Sequence, residues 1–339
     1  MKKVLISGYI GFDNFGDEAI FYALSSHLKK DYSVCALSGN PKKTFKNYGI
    51  KSYYFKNINQ IIKAISNTDI LISGGGSLLQ DKTSNFSLYY YLFILILAKL
   101  FFKKTVIFAQ GIEPIRKKIN EKLLKFVLKK MDFVSVRDEN SKKYLEKLGI
   151  KSELFSDPVY SILQETQISN KKEGLVVQLR KTKNIDENFL NNLAKQIIKN
   201  YKGTIKILPL QETLDAEICE KFKNILNNLN VSSKIILKTS ISDTIQSINN
   251  SECMISTRLH GAIVSNALQT KTFTLNYDEK LKTLSKELNI QNINLDDFSF
   301  DELEEKLKIF FNSKENFTPY RKFDWRKLDL FIEKIQEKK

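Results

Sequence analysis

Two histidines and three cysteines in 339 residues leave few soft ligands for a metal ion. The cysteines, Cys35, Cys219 and Cys253, are widely spaced and odd in number. That pattern excludes a CxxC metal pair and a disulfide framework, and it suits a reducing cytoplasm. No metal site is therefore expected. No Gly-x-Ser-x-Gly elbow occurs, which removes the α/β-hydrolase serine mechanism. The glycine loops match neither G-x-G-x-x-G nor a P-loop with its lysine, so a dinucleotide fingerprint is missing as well. No secretory signal opens the chain, because "MKKVLISGYIGF" runs straight into a strand pattern. Long apolar runs are scarce too. The longest, "FSLYYYLFILILAKLFF" at 86–102, is 17 residues with a lysine near its end. A spanning helix needs about 20, so this stretch is read as a core or membrane-leaning helix between two strands.

Acidic residues are also in deficit: 38 Asp and Glu face 54 Lys and Arg, a formal charge of +16. Three sources compete: nucleic acid, an anionic membrane surface or acidic substrate, and AT-rich coding that favours lysine, asparagine and isoleucine. No nucleic-acid module accompanies the charge, so nucleic acid is not an expected partner. Peripheral contact with the inner membrane surface is compatible, since a lysine near anionic lipid contributes about 1 kcal/mol.

What the chain does contain is a repeated strand–helix alternation, the mark of parallel sheets flanked by helices. Strands are read at "KVLISGYI", "YSVCALS", "DILISGG", "TVIFAQGI", "FVSVRD" and a short run near "SELFSDP". After the polar stretch "QETQISNKKE" at 164–173 the pattern restarts, with "GLVVQLR", "TIKILPL", "KIILK", "CMISTR" and "KTFTLNY". The expected fold is α/β: two doubly wound, Rossmann-like domains, 1–165 and 172–315, with a cleft between them, followed by a helix in 316–339 that packs on the body. Ligands of such sheets bind beyond the carboxyl ends of the strands.

Those strand ends carry the candidate site residues. "GYIGFDNFGDEAI" places Gly8, Gly11 and Gly16 in a loop and opens a helix with Asp17 and Glu18. Acids there serve the helix dipole or, at a cleft, position or deprotonate a hydroxyl. "SGGGSLLQD" leaves Gly74, Gly75 and Gly76 with bare amides suited to an anion or a sugar, followed by Gln80 and Asp81. Gln110 ends the fourth strand. Arg137 reads equally as a cleft cation or an ion pair, Asp138 as a helix N-cap, and "SDPV" as a turn. Arg180 ends the first strand of the second half, where its planar fork suits carboxylate or phosphate. Gln211 ends the next, with Asp215 further on. In "STRLHGA", Arg258 and His260 are two apart, so along a strand they would face the same side. His27 sits among leucine and lysine and reads as a surface residue. The pocket so drawn takes a small, multiply charged anion and a hydroxylated substrate.

Taken in order, "GYIGFDNFGDEAI", "ISGGGSLLQD", "AQGIEPI", "SVRD", the "SDP" turn and "STRLHGAI" resemble the polysaccharide pyruvyl transferase family, most of all its CsaB-type bacterial members. The resemblance covers roughly residues 3 to 300. It implies a GT-B-like fold and transfer of pyruvate from phosphoenolpyruvate to a sugar as a cyclic ketal, with release of phosphate. Phosphoenolpyruvate is then a co-substrate, and no cofactor is expected. For the CsaB-type branch the implied acceptor is a terminal N-acetylmannosamine on a lipid-linked precursor of a secondary cell-wall polymer, which anchors the S-layer. The family's donor-binding arginine and histidine map onto Arg258 and His260, with Arg180 and Arg137 as further donor contacts. Asp17 and the Gly74–Gly76 loop fall on the acceptor side. One departure is Asp13, where a smaller residue, often glycine, is expected. Two rivals share the architecture: a glycosyltransferase with a nucleotide-sugar donor, and a non-catalytic module that binds anionic glycans.

Overall fold

The computed structural model describes residues 1–82, 84–237, 240–314, 317–320 and 322–337. The chain divides into two compact units, Met1–Ile162 with Arg321–Lys339, and Leu163–Tyr320. The 315/316 boundary drawn from the sequence lies outside the described residues.

The first unit is built on strands β1 (Lys3–Ser7), β2 (Ser33–Ser38), β3 (Lys51–Tyr54), β4 (Ile70–Gly74), β5 (Lys104–Gln110), β6 (Phe133–Val136) and β7 (Glu153–Leu154). All pair in parallel, in the order β3-β2-β1-β4-β5-β6-β7. The second unit repeats the plan with β8 (Leu175–Gln178), β9 (Ile205–Ile207), β10 (Ser233–Ile235), β11 (Cys253–Ser256), β12 (Lys271–Asn276) and β13 (Gln291–Asn294). Its order is β10-β9-β8-β11-β12-β13, again all parallel. These are two doubly wound α/β sheets. In each, the direction of winding reverses between two central strands, β1 and β4 in the first unit and β8 and β11 in the second. Those reversals open the crevices where such folds bind ligands.

The central strands are apolar on both faces because helices cover both sides: Val4, Leu5 and Ile6, and likewise Ile70, Leu71 and Ile72, are all buried. Every strand read from the sequence is present; the "KIILK" run contributes β10, and its Lys238 lies outside the described residues. Two strands went unread, β3 and β13. Both are edge strands of largely polar sequence, and in β13 Ile293 alone is buried.

The apolar stretch near 86–102 forms a helix, Asn85–Leu100, that buries Leu88, Leu92, Leu95 and Ala98 in the core. Among the described residues no helix is long and apolar enough to cross a membrane. Its end is tied down by Asp132, which accepts from Lys99 Nζ at 2.8 Å and from the Thr105 amide at 2.8 Å. Desolvation works to raise the Asp132 pKa, but these donors outweigh it and hold the carboxyl below its ordinary value. A depressed carboxylate stabilises the fold fully above its unfolded pKa, and the contribution is lost as pH falls through the lower folded value. Asp132→Asn should therefore flatten the acid limb of a plot of Tm against pH below about pH 4. An acid limb identical to that of the parent protein would sever Asp132 from acid stability.

The last helix, Arg326–Glu337, belongs to the first unit. Leu328 and Ile332 are buried, and Phe331 lies 4.5 Å from Phe133 between ring centroids. His27 is not the bare surface residue the sequence indicated. Its Nε2 lies 2.7 Å from Asp329 Oδ1, and its ring stacks on Trp325 at 4.1 Å. Trp325 in turn stacks on Phe108 at 5.8 Å.

Candidate active site

In the first unit the loop after β1 is shaped by a cap. Asn14 Oδ1 accepts from the Gly16 amide at 3.2 Å, so the helix runs Phe15–Leu28 and begins before Asp17. Gly16 is thus helical and buried, with its amide engaged by the cap rather than lying in an open loop. Glu18 points back into the protein. Its Oε1 accepts from the amides of Gly11 at 2.7 Å and Phe12 at 3.3 Å, and its Oε2 from the Tyr48 hydroxyl at 2.7 Å. Burial raises its pKa in spite of these donors. Glu18 fastens the loop, and Asp17 lies beside Gly76 at the strand end. Asp13 explains the expectation of glycine at its position. It adopts φ +59°, a left-handed conformation that glycine takes freely and aspartate tolerates, and it pairs with Lys43 at 2.7 Å.

Gly75 and Gly76 are left-handed as well, at φ +55° and +69°. A Cβ on Gly75 would collide with Ile20, and one on Gly76 with the Asp17 carboxylate. The three amides are not all bare. Gly75 donates to the Phe108 carbonyl at 2.8 Å, and the Gly76 carbonyl accepts from Gly111 at 2.8 Å. The glycine run is thereby stitched to the end of β5, where the register shifts between Ile107 and Gln110 and Ala109 takes φ +45°. A left-handed alanine in an irregular strand end is the kind of strain that collects at functional sites. Gln110 is fully buried, and its amide donates to the Ser73 carbonyl at 3.2 Å and hydroxyl at 2.8 Å. It braces the strand ends from behind.

Arg137 donates through Nη1 to Asp157 at 2.7 Å and through Nη2 to Ser77 at 3.3 Å. The "SDP" turn thus supplies a buried counter-ion, which decides for the ion pair. Gly111 packs against both Ser77 and the Arg137 guanidinium. Asp138 caps its helix as read, accepting from Ser141 at 2.7 Å. Asp81 is engaged within the unit as well. It accepts from the amides of Arg116 and Lys117 and from Asn120 Nδ2, and so ties down the lead-in to the helix Lys118–Leu128. Asp17, Gly76, Ser77, Gly111 and Arg137 form one neighbourhood.

The second unit gathers the other candidates. β11 ends at Ser256, and Arg258 stands in extended conformation at the N-cap of the helix Leu259–Ala267. His260 therefore lies in the first helical turn, and strand alternation does not relate it to Arg258. Gln178, at the end of β8, accepts through Oε1 from the Ser256 hydroxyl and the Thr257 amide, both at 3.1 Å, and sets the turn. Gly261 has no room for a side chain beside Ser256 and Met254.

Arg258 is buried, and its fork is engaged. Nε donates to Asp215 Oδ2 at 2.9 Å, Nη2 to Asp215 Oδ1 at 2.6 Å and to Gln211 Oε1 at 3.2 Å. Asp215 is fully buried and also accepts from the Gln211 amide at 3.0 Å. The expected ligand cation is thus half of a bidentate pair. A second, half-buried cation is Arg180, whose Nη1 donates to the Tyr277 hydroxyl at 2.7 Å while its guanidinium lies 5.2 Å from the ring centre. Burial, with Asp278, pushes the Tyr277 hydroxyl up to about 12, and Arg180 and Arg258 pull it the other way. At neutral pH that partner is uncharged, so the positive charge of Arg180 remains available to an anion. The sequence does not single out Tyr277, Gln178 or Ser77, although each sits at or just beyond the carboxyl end of a strand. Among the described residues no three His, Cys, Asp or Glu side chains are grouped to hold a metal ion.

Solved structures with this architecture include the UDP-GlcNAc 2-epimerase of Methanocaldococcus jannaschii, with TM-score 0.66 and 15% identity over 98% of this chain and 100% of that one. S. aureus MnaA, solved with UDP, gives TM-score 0.66 and 12% identity over 92% and 88% of the two chains. A glycosyltransferase from Rickettsia africae gives 0.58 and 15% over 91% and 88%. At these identities the likeness establishes the fold, which is GT-B-like, and nothing of the chemistry. No curated protein matches at the level of sequence. Residues 14–279, from the Asn14 cap to just past Tyr277, match the polysaccharide pyruvyl transferase model, and the chain belongs to that family.

Proposed function

We propose that the protein transfers pyruvate from phosphoenolpyruvate to a sugar as a cyclic ketal and releases phosphate. The proposed acceptor is the terminal N-acetylmannosamine of a lipid-linked secondary cell-wall polymer precursor, as in the CsaB-type branch, whose product anchors an S-layer. Reaction on such an acceptor places the protein in the cytoplasm, in peripheral contact with the inner membrane face. The observation that carries this reading is the family match over residues 14–279.

The residues fit the roles. Arg180 offers a cation beside a neutral phenol, suited to the donor's carboxylate or phosphate. Arg258, held by Asp215 and Gln211, orders the same corner, and His260 follows it at a helix N-terminus, where an anion is favoured. Asp17 beside the Gly75–Gly76 turn suits a sugar hydroxyl lying close to backbone. In the proposed reaction His260 gives a proton to the methylene carbon of the enol, whose double-bond pair forms the new C–H bond. The adjacent carbon becomes oxocarbenium-like. A sugar hydroxyl bonds to it, its proton passing to a phosphate oxygen of the donor. The C–O bond to phosphate then breaks, with the electron pair and that proton leaving on phosphate. A second hydroxyl closes the ring and returns its proton to His260.

The test is phosphate release from phosphoenolpyruvate with and without a lipid-linked N-acetylmannosaminyl-N-acetylglucosamine acceptor, with a mass spectrum of the acceptor. Acceptor-dependent phosphate with a pyruvate-sized mass gain is expected. Phosphate release only with other sugars would move the acceptor, and a response only to nucleotide sugars would overturn the reaction.

A further inference from the structure

The helix Asn85–Leu100 buries one face, yet its opposite face is not polar. Phe86, Phe93 and Leu100 repeat at seven-residue spacing and so form one stripe along it. Phe86 is 75% exposed and Leu100 67%, and Phe102, just beyond the helix, is 95% exposed. The helix Lys118–Leu128 is joined to it: Tyr89 Oη donates to Asn120 Oδ1 at 2.8 Å, and Asn120 Nδ2 donates to Asn85 Oδ1 at 2.9 Å. This second helix shows Ile119, 72% exposed, and Phe126, 57% exposed, again seven apart. Lys117, Lys118, Lys122, Lys129 and Lys130 stand exposed on the same segment, with Lys130 Nζ 4.7 Å from the Phe126 ring centre. The nearby carboxylates are engaged inside the unit, Asp132 by Lys99, Asp81 by backbone amides and Glu121 by the Tyr144 hydroxyl.

Large apolar side chains so grouped mark a surface that meets something other than water. A second copy packed on this face about a two-fold axis would bring one lysine-rich segment against another. A membrane with anionic headgroups complements both features, because rings and aliphatic tips enter the acyl boundary while lysines remain at the phosphates. We propose that this face, on the helices Asn85–Leu100 and Lys118–Leu128, docks the protein on an anionic lipid bilayer. The inference deepens the reading of a lipid-linked acceptor and rests on it only for its purpose.

The test is cosedimentation of the full chain with vesicles of phosphatidylglycerol and phosphatidylcholine, and with vesicles of phosphatidylcholine alone. The protein should pellet with the anionic vesicles, and added salt should release it, since the lysine contribution is screened. Phe86→Glu combined with Phe102→Glu should weaken binding at least about tenfold, each loss being that of a large buried apolar side chain. Lys122→Glu should weaken it about fivefold or more, while circular dichroism stays unchanged at these exposed positions. Three results would overturn the proposal: a parent protein that stays in the supernatant, variants that pellet equally well, or a vesicle-free dimer that the double variant turns to monomer. No donor is needed, so a chain that binds vesicles yet releases no phosphate would sink the pyruvyl reading alone.

Discussion

His260→Ala should lower kcat for phosphate release by about 10²–10⁴-fold, the range of a positioned proton donor, with Tm close to that of the parent. His260 occupies the second position of the helix Leu259–Ala267 and is only partly buried, so truncation leaves the helix and its packing in place. The KM for phosphoenolpyruvate should change much less than kcat if the residue acts on the vinyl carbon rather than by holding the donor. A variant whose kcat stays within threefold of the parent would take His260 out of the chemistry.

The second large effect concerns stability. Asp215→Ala would leave the Arg258 guanidinium buried without its bidentate partner, and would remove the acceptor for the Gln211 amide. Breaking a buried ion pair on one side costs about 3–5 kcal/mol, read as a drop in the urea midpoint of the second unit. Replacing both partners, with Asp215→Leu and Arg258→Met, should recover much of that stability because no lone charge stays buried. Activity should not return with it if Arg258 orders the donor corner. A single variant that loses less than about 1 kcal/mol would mean that water reaches the guanidinium and that the pair is not sealed.

Both predictions draw on residues visible in the sequence, but on partners that were not. The alternation of apolar strands was legible because central parallel strands are covered on both faces and read as unbroken Val, Leu and Ile. β3 and β13 were not, since an edge strand needs no apolar face. The strand-end rule picked out Asp17, Gly74–Gly76, Arg180, Arg258 and His260, which lie at the two reversals of winding, and Gln211, which lies beyond β9. It could not tell which of their groups are already engaged. Asp215 precedes Arg258 by 43 residues and carries no local sign of the pair. Gln110 looks like a ligand group until the register shift in β5 turns it toward Ser73. His27 was misread for the same reason, its partner Asp329 being 302 residues away.

That last contact has a consequence for how the chain is made. Trp325, Leu328 and Ile332 belong to the unit begun by Met1, and the whole of the other unit is synthesised between them. At about 5–20 residues per second, the ribosome needs roughly 8–30 s to pass from residue 163 to 320. Through that interval the nascent amino-terminal unit lacks the segment that covers Phe108, Phe133 and His27. The unit Leu163–Tyr320 is continuous in sequence and can close on itself as soon as it emerges. The unit Leu163–Tyr320 is thus positioned to close before the unit that contains β1 is complete.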